Sequence, residues 1–212
     1  MANILFDRVM GTLERPDHIV MDIPGGRQIT YAELKAESGR LANALVEMGA
    51  KPGDRVAVQI DKSPEAIALY LATVRAGAVF LPLNTAYTPT EVAYFLGDAT
   101  PAVFICRSRS RDALEPIAAE NGAHVVTLDG DGSGTLIDAA RSAEDTFDTV
   151  PRNAEDLAAI LYTSGTTGRS KGAMLSHRNL VSNSECLARY WGFTADDVLL
   201  HALPIYHTHG LF

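Results

Sequence analysis

Tyr162-Thr163-Ser164-Gly165-Thr166-Thr167-Gly168-Arg169-Ser170-Lys171-Gly172 lies between two apolar runs, Leu157-Ala158-Ala159-Ile160-Leu161 before it and Ala173-Met174-Leu175 after it. Short apolar runs bounded by a glycine cluster pair as neighbouring strands, so the order is strand, tight loop, strand. The glycines at 165, 168 and 172 open backbone dihedrals closed to other residues, which lets consecutive N–H groups converge on one anion. Hydroxyls at 163, 164, 166, 167 and 170 add donors, and Lys171 adds a full positive charge at the rim. Many directional donors, one cation and no bulky side chain make a composition suited to a polyphosphate. An ordinary hairpin closes in about two to five residues, so a run of this length needs a reason other than chain reversal.

A Walker A loop is excluded by register. Counting from Gly165 puts Ser170 where the second glycine is required and Gly172 where Ser or Thr must follow the lysine.

Outward toward the N-terminus, Ile19–Ile23 and Gln28–Thr30 flank Pro24-Gly25-Gly26 and read as a hairpin. Thr30-Tyr31-Ala32-Glu33 has the form of a capping box, and Leu34, Leu41, Leu45 and Met48 share one face of the helix it opens, which Gly49 ends. Val56–Ile60 reads as a buried strand. Ser63-Pro64-Glu65 starts the next helix with a cap and a proline whose missing N–H costs nothing there. Strand Ala78–Leu81, a helix from Thr88-Pro89-Thr90-Glu91 to near Gly97, strand Ala102–Cys106, helix Ala113–Glu120 and strand His124–Leu128 follow. Strands and helices alternating through short connections predict an α/β fold: a largely parallel sheet flanked by helices.

Residues 129–152 are richer in Gly, Asp, Ser and Thr and read as a surface excursion with a short helix at Leu136–Ala140. Within it, Gly130-Asp131-Gly132-Ser133-Gly134 imitates a dinucleotide fingerprint, but its third glycine comes one position early and no long helix follows, so it reads as a turn. The same residues imitate the start of a calcium loop, yet Ala140 stands where a bidentate Glu is required. Beyond the glycine-rich loop, Ser176-His177-Arg178-Asn179 caps a helix through Trp191, with Leu180, Leu187 and Tyr190 or Trp191 as its buried side.

His201, His207 and His209 fall within His201-Ala202-Leu203-Pro204-Ile205-Tyr206-His207-Thr208-His209-Gly210. No Cys or carboxylate in that stretch completes a metal ligand set, so histidines hydrogen-bonded near a helix start are the better reading.

The whole chain has 212 residues, 47% of them hydrophobic, enough to bury a substantial core. With a net charge of −8 and no basic block denser than Arg107, Arg109 and Arg111, nucleic acid is not an expected partner, and the arginines read as a solvated loop. Cys106 and Cys186 lack CxxC spacing and suit free thiols in a reducing cytoplasm. No signal peptide is expected. No apolar run approaches the ~20 residues that cross a bilayer, so no membrane partner is expected.

The loop resembles, position for position, the Thr-Ser-Gly-Thr-Thr-Gly-x-x-Lys-Gly motif of the adenylate-forming enzymes, which include acyl-CoA synthetases, luciferases and peptide synthetase adenylation domains. Leu203-Pro204-Ile205-Tyr206-His207-Thr208-His209-Gly210 resembles the Leu-Pro-x-(aromatic)-His-x-x-Gly segment those enzymes carry downstream of the loop. The wording of the two motifs together is most similar to that of malonyl-CoA synthetases. The resemblance covers the whole chain and implies that residues 1–212 are the N-terminal portion of the large AMP-binding domain, without the C-terminal lid domain.

It further implies ATP-dependent joining of a small carboxylic acid, malonate or a relative, to coenzyme A through an acyl-adenylate. In that scheme Thr163, Ser164, Gly165, Thr166, Thr167 and Gly168 cradle the β- and γ-phosphates, Lys171 pairs with the departing pyrophosphate, Thr163 sits near Mg²⁺, and His207 borders the acyl pocket. The family's Tyr-Gly-x-Thr-Glu segment, ribose-binding Asp, hinge and C-terminal lysine are not among these residues. The chain alone is therefore expected to have little or no ligase activity, and the alternative is a non-catalytic nucleotide-binding fragment or scaffold. Apolar faces left uncovered by such a division would favour a homodimer.

Overall fold

A computed structural model describes residues 3–11, 13–163 and 169–212. The chain opens with a single helical turn, α1 (Ile4–Phe6), running into a π-helical turn, Asp7–Gly11. A two-stranded antiparallel hairpin follows, β1 (Ile19–Ile23) with β2 (Arg27–Thr30). Then come α2 (Tyr31–Glu47), β3 (Arg55–Gln59), α3 (Pro64–Arg75), β4 (Val79–Pro82), α4 (Pro89–Ala99), β5 (Val103–Cys106), α5 (Arg111–Glu120), β6 (His124–Thr127) and α6 (Thr135–Ala140). The glycine-rich loop is carried by β7 (Leu157–Thr163) and β8 (Lys171–Ser176), and α7 (His177–Trp191) and α8 (Thr208–Leu211) complete the order.

Six strands form one sheet in the order β6-β5-β3-β4-β7-β8, parallel throughout except for the antiparallel β7–β8 pair. The alternation of side chains along each strand divides the core in two. Val56, Val58, Phe80, Val103 and Ile105 meet α2 and α3 on one face. Ala57, Leu81, Phe104 and Cys106 meet Val92, Phe95, Leu96, Leu114 and Ala118 of α4 and α5 on the other. Both faces being covered is why these strands read as continuous apolar runs.

The helix starts are set locally. Thr30 Oγ1 accepts from Glu33 N at 3.2 Å while Thr30 N donates to the Glu33 carboxylate at 2.7 Å. Thr88 with Glu91 and Ser176 with Asn179 repeat the reciprocal pattern. α4 runs two residues past Gly97 and stops at Thr100, whose φ of 42° is left-handed. That conformation is costly for a β-branched residue, and Arg55 holds it: its guanidinium donates to Ala99 O at 2.6 Å, Thr100 O at 2.8 Å and Thr100 Oγ1 at 2.8 Å.

Three expectations are corrected. Residues 141–152 do lie at the surface, but as an anchored strap rather than a free excursion. Buried Arg75 donates to Phe147 O at 2.9 Å, Val150 N donates to Arg75 O at 2.8 Å, and Asn43 Nδ2 donates to Glu144 O and Thr146 O at 2.9 Å each. Leu136 and Ala140 of α6 are buried as well.

On α7 only His177 and Leu180 are buried, whereas Tyr190 is 83% and Trp191 62% exposed, because the helix docks through its first turns alone. The arginine triplet is not uniformly solvated: Arg107 donates to Thr85 O at 2.9 Å and lies 3.5 Å from Asp61, while Arg111 pairs with Glu115 at 2.8 Å. The residues 129–134 form the expected turn, closed by Asp129 N to Ser133 O at 2.8 Å.

Candidate functional site

Because β3 to β7 run parallel, the segments leaving their C-terminal ends gather along one edge of the sheet. In open α/β sheets that edge is where ligands bind. The glycine-rich loop, the 83–87 and 107–110 connections and the residues after β3 all belong to it.

The β7–β8 register pairs Tyr162 with Gly172 and Thr163 with Lys171, so the two residues at the neck of the loop face each other. Thr163 Oγ1 donates to Lys171 O at 3.4 Å, a long bond that a better acceptor could displace. Both side chains are exposed. A Cβ on Gly172 would come within 3.0 Å of Ile160 Cγ2, so glycine keeps the neck narrow. Ser164, Gly165, Thr166, Thr167 and Gly168 lie outside the described residues. Of the expected phosphate-binding set, the structure therefore brings together Thr163 and Lys171.

The neck is gripped by α4. Tyr94 Oη donates to Ser170 O at 2.8 Å, immediately before Lys171, and Tyr162 Oη donates to Asp98 Oδ2 at 2.5 Å. Burial, then the hydrogen bond to Asp98 and its charge, push the Tyr162 phenol above its ordinary range, so it stays a neutral donor. The rings of Tyr162 and Phe95 lie 4.5 Å apart, and Phe95 and Tyr87 4.8 Å apart.

The histidine-rich stretch stands at the same edge. Lys62, just beyond β3, donates to His201 O at 2.9 Å and Leu203 O at 3.2 Å. A cleft of about 280 Å³ lies between Ile60, Asp61, Thr85, Pro204 and Tyr206. His201 Nε2 is 2.7 Å from Gly210 O. His207 caps α8 through Nδ1, 3.4 Å from His209 N, and stacks on the His209 ring at 5.2 Å. The expected arrangement, histidines hydrogen-bonded at a helix start, is the observed one. Among the described residues no group of three His, Cys, Asp or Glu side chains is placed to hold a metal ion. The neck of the loop offers Mg²⁺ a single ligand atom, the Thr163 hydroxyl oxygen, because the Lys171 ammonium has no lone pair to give, so the ion fits only where phosphate oxygens and water complete its shell. Burial first, then the charge of Glu91 and the Tyr206 phenol, raise the pKa of Tyr87.

Sequence reasoning missed Tyr94, Asp98, Lys62 and Arg107 as contributors to this edge. The one available signal was the i,i+4 spacing of Tyr94 and Asp98 on a helix whose remaining residues are largely apolar.

Residues 11–212 match the AMP-binding enzyme family, and the chain belongs to it. Crystal structures of MatB from Rhodopseudomonas palustris, apo and ATP bound, superpose on it with a TM-score of 0.97 at 58% and 59% identity, covering 100% of this chain and 42% of theirs. An oxalate–CoA ligase of Arabidopsis thaliana is 32% identical over 97% of this chain, and the mitochondrial malonate–CoA ligase ACSF3 of Xenopus laevis 30% identical over 86%. The chain spans less than half the length of these curated relatives, 42% of the first and 32% of the second. No helix among the described residues is long and apolar enough to cross a membrane.

Proposed function

We propose that residues 1–212 are the N-terminal portion of the large AMP-binding domain of an ATP-dependent acid–CoA ligase acting on malonate or a related small dicarboxylic acid. The observation that carries the reading is the neck of the loop: a hydroxyl and an ammonium held opposite each other across Thr163 and Lys171, at the ligand-binding edge of the sheet. Relatives named for oxalate and malonate support a short dicarboxylic acid, and the ATP-bound MatB crystal structure supports ATP as the nucleotide.

Bringing a carboxylate against a triphosphate is opposed by like charge, so the barrier is one of electrostatics and positioning. Lys171 supplies a cation where negative charge accumulates on the departing pyrophosphate, and the backbone amides and hydroxyls of 163–168 orient its oxygens. Mg²⁺, when bound, neutralises part of the same charge, with the Thr163 hydroxyl as this chain's ligand to it. His207, exposed at the start of α8, forms part of the wall beside the carboxylic acid. The coenzyme A thiol, giving up its proton, then takes the acyl group as the acyl–phosphate bond of the adenylate breaks and AMP leaves. The adenine-holding segment and the C-terminal lysine are not among residues 1–212, so this chain alone makes no acyl-CoA at a normal rate.

The test is malonate-dependent pyrophosphate release from ATP by the enzyme encoded by the full reading frame that contains this chain. Lys171→Ala removes a charge-assisted contact worth about 1.5–3 kcal/mol, which lowers kcat/KM by roughly tenfold or more. An unchanged kcat/KM overturns the assignment. Release that depends on another acid but not on malonate overturns the substrate.

A further inference from the structure

The hairpin that carries the loop is poorly supported by the sheet. β7 joins the parallel ladder through a single pair, Phe80 with Ala159. Beyond it, residues 160–163 and 171–174 form a two-stranded antiparallel ribbon, and Lys171, Gly172, Ala173 and Met174 are exposed. The entering stem packs on one face, with Leu161 buried and the Tyr162 ring on Phe95, but the leaving stem is bare. A two-stranded ribbon without further support is marginally stable in water, so contacts outside the ladder must hold the loop end still.

We propose that Tyr94 and Asp98 of α4 are positioning residues for the neck of the loop, clamping its two stems at a fixed separation so that the Thr163 hydroxyl and the Lys171 ammonium are held ready for a triphosphate. This rests on the reading of the loop given above. The two residues are four apart on one helix and therefore share a face. Asp98 takes the entering stem through the Tyr162 hydroxyl at 2.5 Å, and Tyr94 takes the leaving stem through Ser170 O at 2.8 Å. Each attachment is within one residue of the Thr163–Lys171 neck pair. The Arg169 guanidinium lies 6.0 Å from the centre of the Tyr94 ring, a third contact on the leaving stem.

The helix that bears the clamp is itself fixed. The Thr88–Glu91 capping box holds its start, Arg55 holds its end, and Val92, Phe95 and Leu96 are buried against the sheet. Neither clamp residue touches the Thr163 hydroxyl or Lys171 among the described contacts, so their effect is carried through the backbone of the stems. Holding binding groups in place before the ligand arrives removes the cost of ordering them on binding.

The experiment titrates the 212-residue chain, labelled with ¹⁵N, with magnesium tripolyphosphate, following the amide signals of 169–172 together with hydrogen exchange across both stems. The wild type is expected to saturate, and Lys171→Ala to bind at least tenfold more weakly. Tyr94→Phe keeps the ring but loses one hydrogen bond, and is expected to weaken binding about fivefold and speed exchange at 169–172 while leaving the melting temperature of the whole chain in place. Asp98→Ala acts the same way on the entering stem. Asp98→Asn, which still offers an oxygen to Tyr162, restores binding to within about twofold.

If Lys171→Ala weakens binding and Tyr94→Phe and Asp98→Ala do not, the clamp is refuted and the loop reading stands. If the clamp variants lower the melting temperature without changing affinity, they are structural and the proposal falls. If neither wild type nor Lys171→Ala shows saturable binding, the loop reading falls and takes the clamp with it.

Discussion

His177, the first residue of α7, is fully buried, and among the described residues neither ring nitrogen has a hydrogen-bond partner. Burial, reinforced by the nearby Arg152 charge and opposed by Asp156, holds its pKa down from the ordinary 6.5 to about 4. Above pH 6.5 the ring is neutral in both the folded and unfolded chain, and its titration has no effect on stability. As pH falls below 6.5 the unfolded chain takes up a proton that the folded chain refuses, at about 1.4 kcal/mol per pH unit, until the folded ring titrates near 4. At pH 4.5 the accumulated loss is about 2.5 kcal/mol, a large share of a typical domain's stability. Carboxylates titrate over part of the same range, so the comparison must isolate the one ring. His177→Leu does so, replacing a ring of similar volume whose nitrogens were unpaired, which makes it nearly neutral at pH 7.5. Urea unfolding of both chains between pH 7.5 and 4.5 should show the wild type losing about 2.5 kcal/mol relative to the variant. A difference constant to within about 0.5 kcal/mol across that range refutes a buried neutral histidine at this position.

Gly39 sits inside α2, where alanine would ordinarily be worth about 1 kcal/mol, yet a Cβ there would come within 2.1 Å of Asp145 O in the strap. Gly39→Ala should therefore destabilise by on the order of 1–2 kcal/mol in urea unfolding, and a gain in stability would show that the strap does not lie against the helix. Among the described residues Arg75 has no carboxylate partner; its guanidinium donates to Lys35 O, Ser38 Oγ, Phe147 O and Thr149 Oγ1 between 2.9 and 3.2 Å. Arg75→Met should cost about 3 kcal/mol and free 144–150 to rapid hydrogen exchange, whereas exchange unchanged in that stretch would assign the strap's order to other contacts. Cys106 is buried and its thiol pushed up to about 11 by that burial, while Cys186 is exposed. Iodoacetamide should modify Cys186 alone in the native chain, read by peptide mass mapping, and equal labelling of Cys106 would contradict the burial of β5.

The elements legible from sequence are those whose cause is local. A capping box is written in four consecutive residues, and Thr30, Thr88 and Ser176 each form the bond their spacing predicts. The two strands flanking the glycine-rich stretch were legible for the same reason, since both apolar runs lie in one short segment, but each strand runs two residues further toward the loop than its apolar run, which is what brings Thr163 opposite Lys171. The strap was not legible because its anchors are distant. Asn3 Nδ2 reaches Val150 O at 3.0 Å across 147 positions, and Arg75 reaches Phe147 O across 72. Tyr190 and Trp191 were misplaced for a related reason: an amphipathic helix shows which of its faces is apolar, not how far along its length that face is covered.

The grip of α4 on the loop is the instructive case, because both of its residues look ordinary in sequence. Tyr94 and Asp98 fall on the side of a helix that would be read as facing water, and half of that reading is right: the contacts they make are polar and near the surface. What sequence cannot supply is that the ribbon they meet leaves the sheet after one ladder pair with β4. A ribbon that extends past its ladder has lost the support of the next strand, and a neighbouring helix already fixed at both ends can replace it. α4 meets that condition through its Thr88 cap and the Arg55 clasp at Thr100. It follows that the polar face of α4 is set by the geometry of the loop rather than by solvent, and that substitutions there should act on loop order before they act on global stability.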